Sequence, residues 1–181
     1  MSQLKKHTKF KLANYIRLFI QRIRLGRCGK KVYFEKHVSL LRFPKNIKLG
    51  DFCHIKSGTK ICTCNENAII DIGKNTSIGY NTIIFSSENI IIGSNCMIAP
   101  NVYIVDSDHG IIRDRLMKEQ ENVSSPIIIG NDVWVATGSI ILKGTKIPDG
   151  CVIAANSVVK GQLEAYAIYA GSPAKKVGER Q

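Results

Sequence analysis

The sequence is short of acidic residues and of long apolar runs. It contains 14 Asp or Glu against 26 Lys or Arg, which gives a formal net charge of +12. No apolar stretch approaches the ~18 residues typical of a transmembrane helix. The N-terminus lacks the apolar core and small-residue cleavage site of a secretory signal. We therefore expect a cytoplasmic protein. The inner face of the membrane stays open as its location because of the basic segment described next.

The shortage of acid is local. Residues 1–34 contain ten Lys or Arg and no Asp or Glu, so most of the net charge belongs to this segment. No aromatic-interleaved platform or base-reading motif accompanies it, and we therefore expect no nucleic-acid partner.

Paired cysteine motifs are also missing. Cys53, Cys96 and Cys151 occupy one small position of a repeat in which Thr, Ser or Val stands elsewhere, which predicts buried free thiols in a reducing compartment. Cys62 and Cys64 have no second pair downstream. We expect no metal site.

A repeat of six residues dominates the chain from Pro126 to Lys160. A helix would place apolar residues every 3.6 positions and a lone strand every two, so period six indicates a short strand and a turn, repeated. One bulky residue of each unit points inward. The inward residues of this run are Ile129, Val135, Ile141, Ile147, Ile153 and Val159.

The same spacing extends back to Leu49 and groups the inward residues in threes, so three units make one coil of a three-sided prism. We predict an all-β solenoid, a parallel β-helix of about five coils over residues 46–162. The earlier inward positions are Leu49, Ile55, Ile61, Ile72, Ile78, Ile84, Ile92, Ile98 and Ile104.

Extra residues always fall between the third inward position of one coil and the first of the next. All insertions therefore leave the prism at one edge, and the longest is a polar loop at residues 106–125. Loops extruded from a rigid scaffold commonly carry function, so this edge is the predicted site.

Residues 1–45 are predicted to be a basic helical segment with a lead-in, and residues 163–181 a C-terminal tail. Leu12, Ile16, Phe19 and Ile23 form one face of a helix over residues 4–25, and Lys and Arg form the other. Two interpretations stay open: the helix caps the solenoid or packs on a neighbouring subunit, or it lies on an anionic membrane.

Three motifs give the repeat a family resemblance: Asp106-Ser-Asp-His109-Gly, Ile129-Gly-Asn-Asp-Val-Trp134-Val and Ala170-Gly-Ser-Pro-Ala174. With the hexapeptides, residues 45–180 resemble the maltose, galactoside, nodulation and surface-polysaccharide O-acetyltransferases. The resemblance implies a left-handed β-helix, a homotrimer, and acetyl-CoA as co-substrate in a groove between adjacent prisms.

The resemblance also implies roles for individual residues. His109 matches the catalytic histidine, and Trp134 faces outward by its register beside predicted inward neighbours. Residues that match coenzyme A contacts are Trp134, Thr137, Ala155, Lys160, Lys175 and Arg180.

The acceptor side is less defined, because sugar acetyltransferases carry Asn where this chain has Gly79, and an acid where it has Ser87. Asp106 and Asp108 either orient the imidazole or shape the loop turn. The remaining acceptor candidates, expected near the insertion edge, are Asn81, Phe85 and Ser86.

These features predict acetyl transfer from acetyl-CoA to a sugar hydroxyl in surface-polysaccharide biosynthesis. A histidine, with an unperturbed pKa near ~6.5, suits removal of the hydroxyl proton. N-acetylation of an amino sugar is the alternative, since an amine needs the same base. A γ-type carbonic anhydrase needs three histidine ligands where the repeats offer His54 and His109, and a non-enzymatic scaffold would not need the His109 loop.

Overall fold

Three parallel β-sheets form the sides of a left-handed prism in the computed structural model, which describes residues 10–181. Each coil contributes one strand to each sheet. In chain order the coils are β1 Arg27–Cys28, β2 Tyr33–Phe34 and β3 Ser39–Arg42; β4 Ile47–Leu49, β5 His54–Ile55 and β6 Lys60–Thr63; β7 Ile69–Ile72, β8 Ser77–Ile78 and β9 Ile83–Ser86; β10 Asn89–Ile92, β11 Met97–Ile98 and β12 Tyr103–Val105; then, after a loop, β15 Ile127–Ile129, β16 Trp134–Val135 and β17 Ile140–Ile141; β18 Lys146–Ile147, β19 Val152–Ile153 and β20 Val158–Val159.

The predicted inward residues stack in the predicted register and form the core. Leu49 pairs with Ile72 in the first sheet, Ile55 with Ile78 in the second, and Ile61 with Ile84 in the third. All fifteen are at most 2% exposed. Burying each such side chain contributes roughly 1.5–3 kcal/mol, so the period-six pattern is the main determinant of the fold.

Where the small position of a repeat carries a hydroxyl or a thiol, it commonly bonds to a backbone carbonyl of the neighbouring coil. Thr76 Oγ1 donates to the carbonyl oxygen of Gly93 over 2.8 Å, and Cys53 Sγ donates to that of Gly73 over 3.1 Å. The three cysteines predicted to be buried, Cys53, Cys96 and Cys151, are buried free thiols. A short side chain suits this position because its hydroxyl or thiol must reach a carbonyl oxygen on the adjacent coil.

The prism has six coils rather than about five, because β1 to β3 add one before Leu49. Its inward residues are Cys28, Phe34 and Leu40, which pair with the first aliphatic residues of the next coil. This coil lies within the predicted lead-in at residues 1–45, because two of its three inward residues are not aliphatic and do not continue the pattern.

Helix α1, Leu12–Arg24, precedes the first coil and contacts β1 and β2. Asn14 Nδ2 donates to the carbonyl oxygen of Phe34 over 3.3 Å, and Leu25 is buried in the core cluster. The helix therefore lies at the open end of the prism. Residues 4–9 of the predicted helix lie outside the described residues. No helix within residues 10–181 has the length and apolarity to cross a bilayer.

The C-terminal segment contains a β-hairpin. β21, Ala167–Gly171, continues the second sheet next to β19, and Tyr169 stacks on Ile153. β22, Ala174–Glu179, pairs antiparallel with β21 and forms the last strand of that sheet.

The extruded loop leaves the prism between β12 and β15, as predicted. Inside it, β13 Ser107–His109 pairs antiparallel with β14 Asn122–Ser124. Two short 3₁₀ helices occur at insertions on this edge, at Pro44–Asn46 and Met117–Glu119.

Candidate active site

His109 is the last residue of β13, exposed, and opposite Asn122 of β14. The two strands hold each other in register from Ser107 to His109. Lys143 fastens the loop from the coil above, since its Nζ lies 3.1 Å from the carbonyl oxygen of Val123 and 3.4 Å from Asp108 Oδ2. His109 therefore lies on a two-stranded arm that these contacts hold against the prism.

A cavity of about 530 Å³ lies between this arm and the outer face of the third sheet. Phe85 and Tyr103 supply aromatic faces, and Ser87 Oγ and Ser107 Oγ lie 2.9 Å apart. Aromatic faces beside hydroxyl groups suit a ring that carries hydroxyls of its own. The lining residues are Arg42, Cys64, Phe85, Ser87, Tyr103, Val105, Ser107, Asp108, His109, Asn122 and Leu142.

Besides His109, the cavity contains two titratable groups whose pKa is raised, Cys64 and Tyr103. Burial raises the pKa of the Cys64 thiol to about 11, and burial together with the nearby Cys64 raises the pKa of the Tyr103 hydroxyl. At neutral pH both are protonated, so neither is a ready nucleophile or base. Of the residue types that line the cavity, histidine is the one most often used as a general acid or base.

Asp106 is buried, and its carboxylate is fully used by the chain itself. Oδ1 accepts from the backbone N–H of Ser87 over 2.6 Å; Oδ2 accepts from Ser86 Oγ over 2.8 Å and from the N–H of Glu88 over 2.9 Å. Of the two roles open for Asp106, orienting the imidazole or shaping a turn, these contacts fit the second. Ser86, predicted as an acceptor-side residue, is buried and its hydroxyl is bonded to Asp106.

Asn81 lies away from His109. It sits in the turn between the second and third sheets with φ of +55°, a left-handed conformation that asparagine tolerates well. The expectation that it lies near the insertion edge is therefore wrong, and its position suits an ordinary turn. Phe85 and Asp108, in contrast, do line the cavity.

Trp134, Thr137 and Ala155 lie together in a second depression, on the outer face of the second sheet. This groove encloses about 500 Å³, and alanines form much of its wall. A smaller hollow of about 230 Å³ adjoins it at Trp134 and Ala99 and reaches Tyr80 and Lys56. An apolar trough with small walls fits a narrow flexible chain such as the pantetheine arm of coenzyme A.

The three basic residues predicted to contact coenzyme A are not in this groove. Lys160 follows β20 of the third sheet, and Lys175 lies on β22 at the margin of the second sheet. Arg180 Nη1 pairs with Asp132 Oδ2 over 2.7 Å at the turn before Trp134. In one chain none of these cations lines the groove at Trp134.

The groove at Trp134 and the cavity at His109 share no lining residue and open on different faces of the prism. Within a single chain, the predicted base His109 and the groove predicted to hold coenzyme A therefore lie on different faces. Within residues 10–181, no cluster of three side chains suited to a metal ion is found.

Several residues of the cavity are not among the predicted site residues, and Arg42 and Tyr103 are the most prominent of these. Arg42 Cζ lies 5.7 Å from the ring centroid of Phe85. A signal was available for the aromatics, since Phe85 follows an inward isoleucine and Tyr103 precedes one. In a strand, such neighbours point outward.

Comparison with known families supports the repeat assignment. The family model described as bacterial transferase hexapeptide (six repeats) matches residues 126–161. The model described as hexapeptide repeat of succinyl-transferase matches residues 69–105. The matched segments are the coils on either side of the His109 loop.

Curated relatives extend the similarity to almost the whole chain. A protein of Mycobacterium tuberculosis named as an acetyltransferase is 30% identical over 96% of this chain and 55% of its own length. WbbJ of Escherichia coli K12, named for lipopolysaccharide biosynthesis O-acetyl transfer, is 29% identical over 95% of this chain and 91% of its own. The galactoside O-acetyltransferase of the same organism is 36% identical over 61% of this chain and 54% of its own. The chain thus spans about half the length of the first and third relatives and nearly all of WbbJ.

Solved structures show the same fold. The maltose O-acetyltransferase of Clostridium difficile 630 is 25% identical with a TM-score of 0.68, covering 96% of this chain and 80% of that one. AntD, an N-acyltransferase from Bacillus cereus, is 20% identical with a TM-score of 0.82, covering 95% and 90%. At that identity the second likeness concerns the fold alone.

Proposed function

Because the chain belongs to the hexapeptide-repeat transferase family, we propose that it moves an acetyl group from acetyl-CoA to a sugar hydroxyl. Relatives named as O-acetyltransferases support this choice. WbbJ, which the chain matches over 91% of its length, further supports a role in surface-polysaccharide biosynthesis.

The observation that carries the proposal is the position of His109. It opens into a cavity that also holds the aromatic faces of Phe85 and Tyr103 and the hydroxyls of Ser87 and Ser107. A sugar ring in contact with those aromatics could direct a hydroxyl at the imidazole. Asp108 also lines this cavity.

The chemistry then needs one base and one oxyanion partner. The imidazole of His109 removes the hydroxyl proton as the sugar oxygen forms a bond to the thioester carbonyl carbon. A backbone N–H stabilises the tetrahedral oxyanion. When the intermediate collapses, the carbon–sulfur bond breaks, and the imidazolium returns its proton to the departing thiolate of coenzyme A. The products are an acetylated sugar and a free thiol.

A homotrimer would unite the two half-sites that one chain keeps apart. If adjacent prisms meet with the His109 cavity of one against the Trp134 groove of the next, the base comes to lie beside the thioester. Trp134, Thr137 and Ala155 then form the wall for the pantetheine arm. Lys160 and Lys175, both exposed, are available to the phosphates of coenzyme A.

A cytoplasmic location accompanies this proposal, since acetyl-CoA is a cytoplasmic metabolite. All six cysteines are free, as expected of a reducing compartment.

The test is an acceptor screen with the full chain and acetyl-CoA, across oligosaccharides, nucleotide sugars and amino sugars, read out as free thiol. We expect thiol release with a sugar that lacks an amine, and a product acetyl group that hydroxylamine removes, as it removes esters. Turnover confined to amino sugars, with a product that resists hydroxylamine, would show amide formation and overturn the O-acetyl assignment. No thiol release with any sugar would overturn the transferase proposal.

A further inference from the structure

The apolar face of helix α1 points away from the protein. Six large apolar side chains on this 13-residue helix are between 48% and 77% exposed. At 3.6 residues per turn they fall on one continuous face. They are Leu12, Tyr15, Ile16, Phe19, Ile20 and Ile23.

The helix is attached to the prism through its opposite side. Asn14 is buried and bonded to the carbonyl oxygen of Phe34, and Leu18 and the adjoining Leu25 pack against the core. A surface helix normally turns its apolar face toward its own core. Here the docking side is the narrower and more polar one, so the wide apolar face is left for an external partner.

Arginines flank the exposed face and carry uncompensated charge. Arg17 and Arg24 lie on one flank and Arg22 on the other. Arg22 donates to the carbonyl oxygen of Gly29 over 3.0 Å, and Arg24 to that of Leu40 over 2.8 Å, so their partners are neutral. None of the salt bridges found within residues 10–181 involves an arginine of α1.

The sequence around α1 is also positively charged. Residues 1–34 hold ten Lys or Arg and no acid. A second copy of this helix would bring like charges together across the contact. A partner that offers an apolar layer beneath a negatively charged surface matches both the apolar face and its flanks.

We propose that α1 lies in the surface of a membrane that contains anionic lipid. The apolar face enters the acyl layer, and the flanking arginines remain among the phosphate headgroups. The helix attaches to the open end of the prism, so binding would hold the prism at the membrane by that end. The acceptor would then be met at a membrane surface, which favours a lipid-linked sugar and goes beyond the acetyl transfer proposed above.

The test is flotation of the full chain with vesicles of phosphatidylcholine alone or mixed with phosphatidylglycerol. We expect binding to the mixed vesicles, weak binding to neutral ones, and release by salt. Phe19→Ser with Ile23→Ser should weaken binding about tenfold or more, because both side chains would leave the acyl layer. Arg17→Glu should weaken it about tenfold by reversing a charge at the headgroups.

The matched control is Ile111→Ser with Ile112→Ser, which removes two apolar side chains of at least comparable exposure from the extruded loop. Its vesicle binding should equal that of the unaltered chain. Failure of the unaltered chain to float with anionic vesicles would overturn the proposal, and so would equal flotation of the Phe19/Ile23 variant. A larger assembly in solution that depends on Phe19 and Ile23, without flotation, would assign the face to a second copy instead.

Discussion

Ser86 Oγ donates a hydrogen bond of 2.8 Å to Asp106 Oδ2, and both side chains are buried. The backbone of Asp106 also accepts from the N–H of Ser125 over 2.9 Å, which closes the base of the extruded loop. Asp106 therefore joins the start and end of the His109 loop to the coil below. Its carboxylate positions the loop.

We expect Asp106→Ala to lower the free energy of unfolding by about 2–4 kcal/mol, because two backbone N–H groups and a hydroxyl lose a charged acceptor. The control is Asp108→Ala, whose half-exposed carboxylate makes a 3.4 Å ion pair with Lys143 and should cost less than about 1 kcal/mol. Urea denaturation measures both. Equal losses in the two variants would contradict the anchoring role of Asp106.

Trp134→Ala should weaken acetyl-CoA binding about 10- to 100-fold, since the groove loses its largest apolar surface. Ile91→Ala is the control, because Ile91 is similarly exposed but lies on the first sheet. Isothermal titration with coenzyme A measures the affinities. An unchanged affinity in the Trp134 variant would remove the groove from the donor site.

Burial raises the pKa of Cys53 from 9.0 to about 11, so the folded chain keeps a proton there that the unfolded chain releases. Its contribution to stability is complete below pH 9 and is lost as pH rises toward 11. Cys53→Thr keeps a donor to Gly73, as Thr76 does to Gly93, and removes the titration.

Between those pH values we expect the unaltered chain to lose about 1–2 kcal/mol more than the Cys53→Thr variant. Urea denaturation of both at each pH gives this difference directly, since the other cysteines are common to them. Parallel losses in the two proteins would show that Cys53 does not titrate in this way.

A site shared between subunits predicts complementation. His109→Ala and Trp134→Ala chains, each impaired alone, should form mixed trimers in which one interface carries both native residues. Thiol release should therefore rise when the two chains are co-expressed and purified through different tags. Activity of the mixture no higher than the mean of the separate variants would place both residues in one subunit's site or in none.

The fifteen inward residues were predictable because all of them are aliphatic, and burial in the core is the one requirement at those positions. The first coil was not, since Phe34 and Cys28 stand where the pattern shows Ile or Val elsewhere. The position of the extruded loop was predictable from where the spacing breaks, whereas the choice of His109 within it depended on the family resemblance.

The role of Asp106 could not be predicted from its motif. The motif from Asp106 to His109 is the same in sequence whether the Asp106 carboxylate faces the imidazole or a turn on the coil below. The difference depends on the N–H groups of Ser87 and Glu88, which point at it only after the coils stack. Asn81 was misplaced because it lies in the turn between β8 and β9, on the edge between the second and third sheets.

The central claim is that His109 is the general base of acetyl transfer, and His109→Ala tests it most directly. With an acceptor from the screen, thiol release should fall about 10²- to 10⁴-fold in kcat. Acetyl-CoA affinity should stay within about twofold, because the loss concerns proton transfer rather than donor binding. A variant that binds acetyl-CoA normally and keeps most of its turnover would contradict the account.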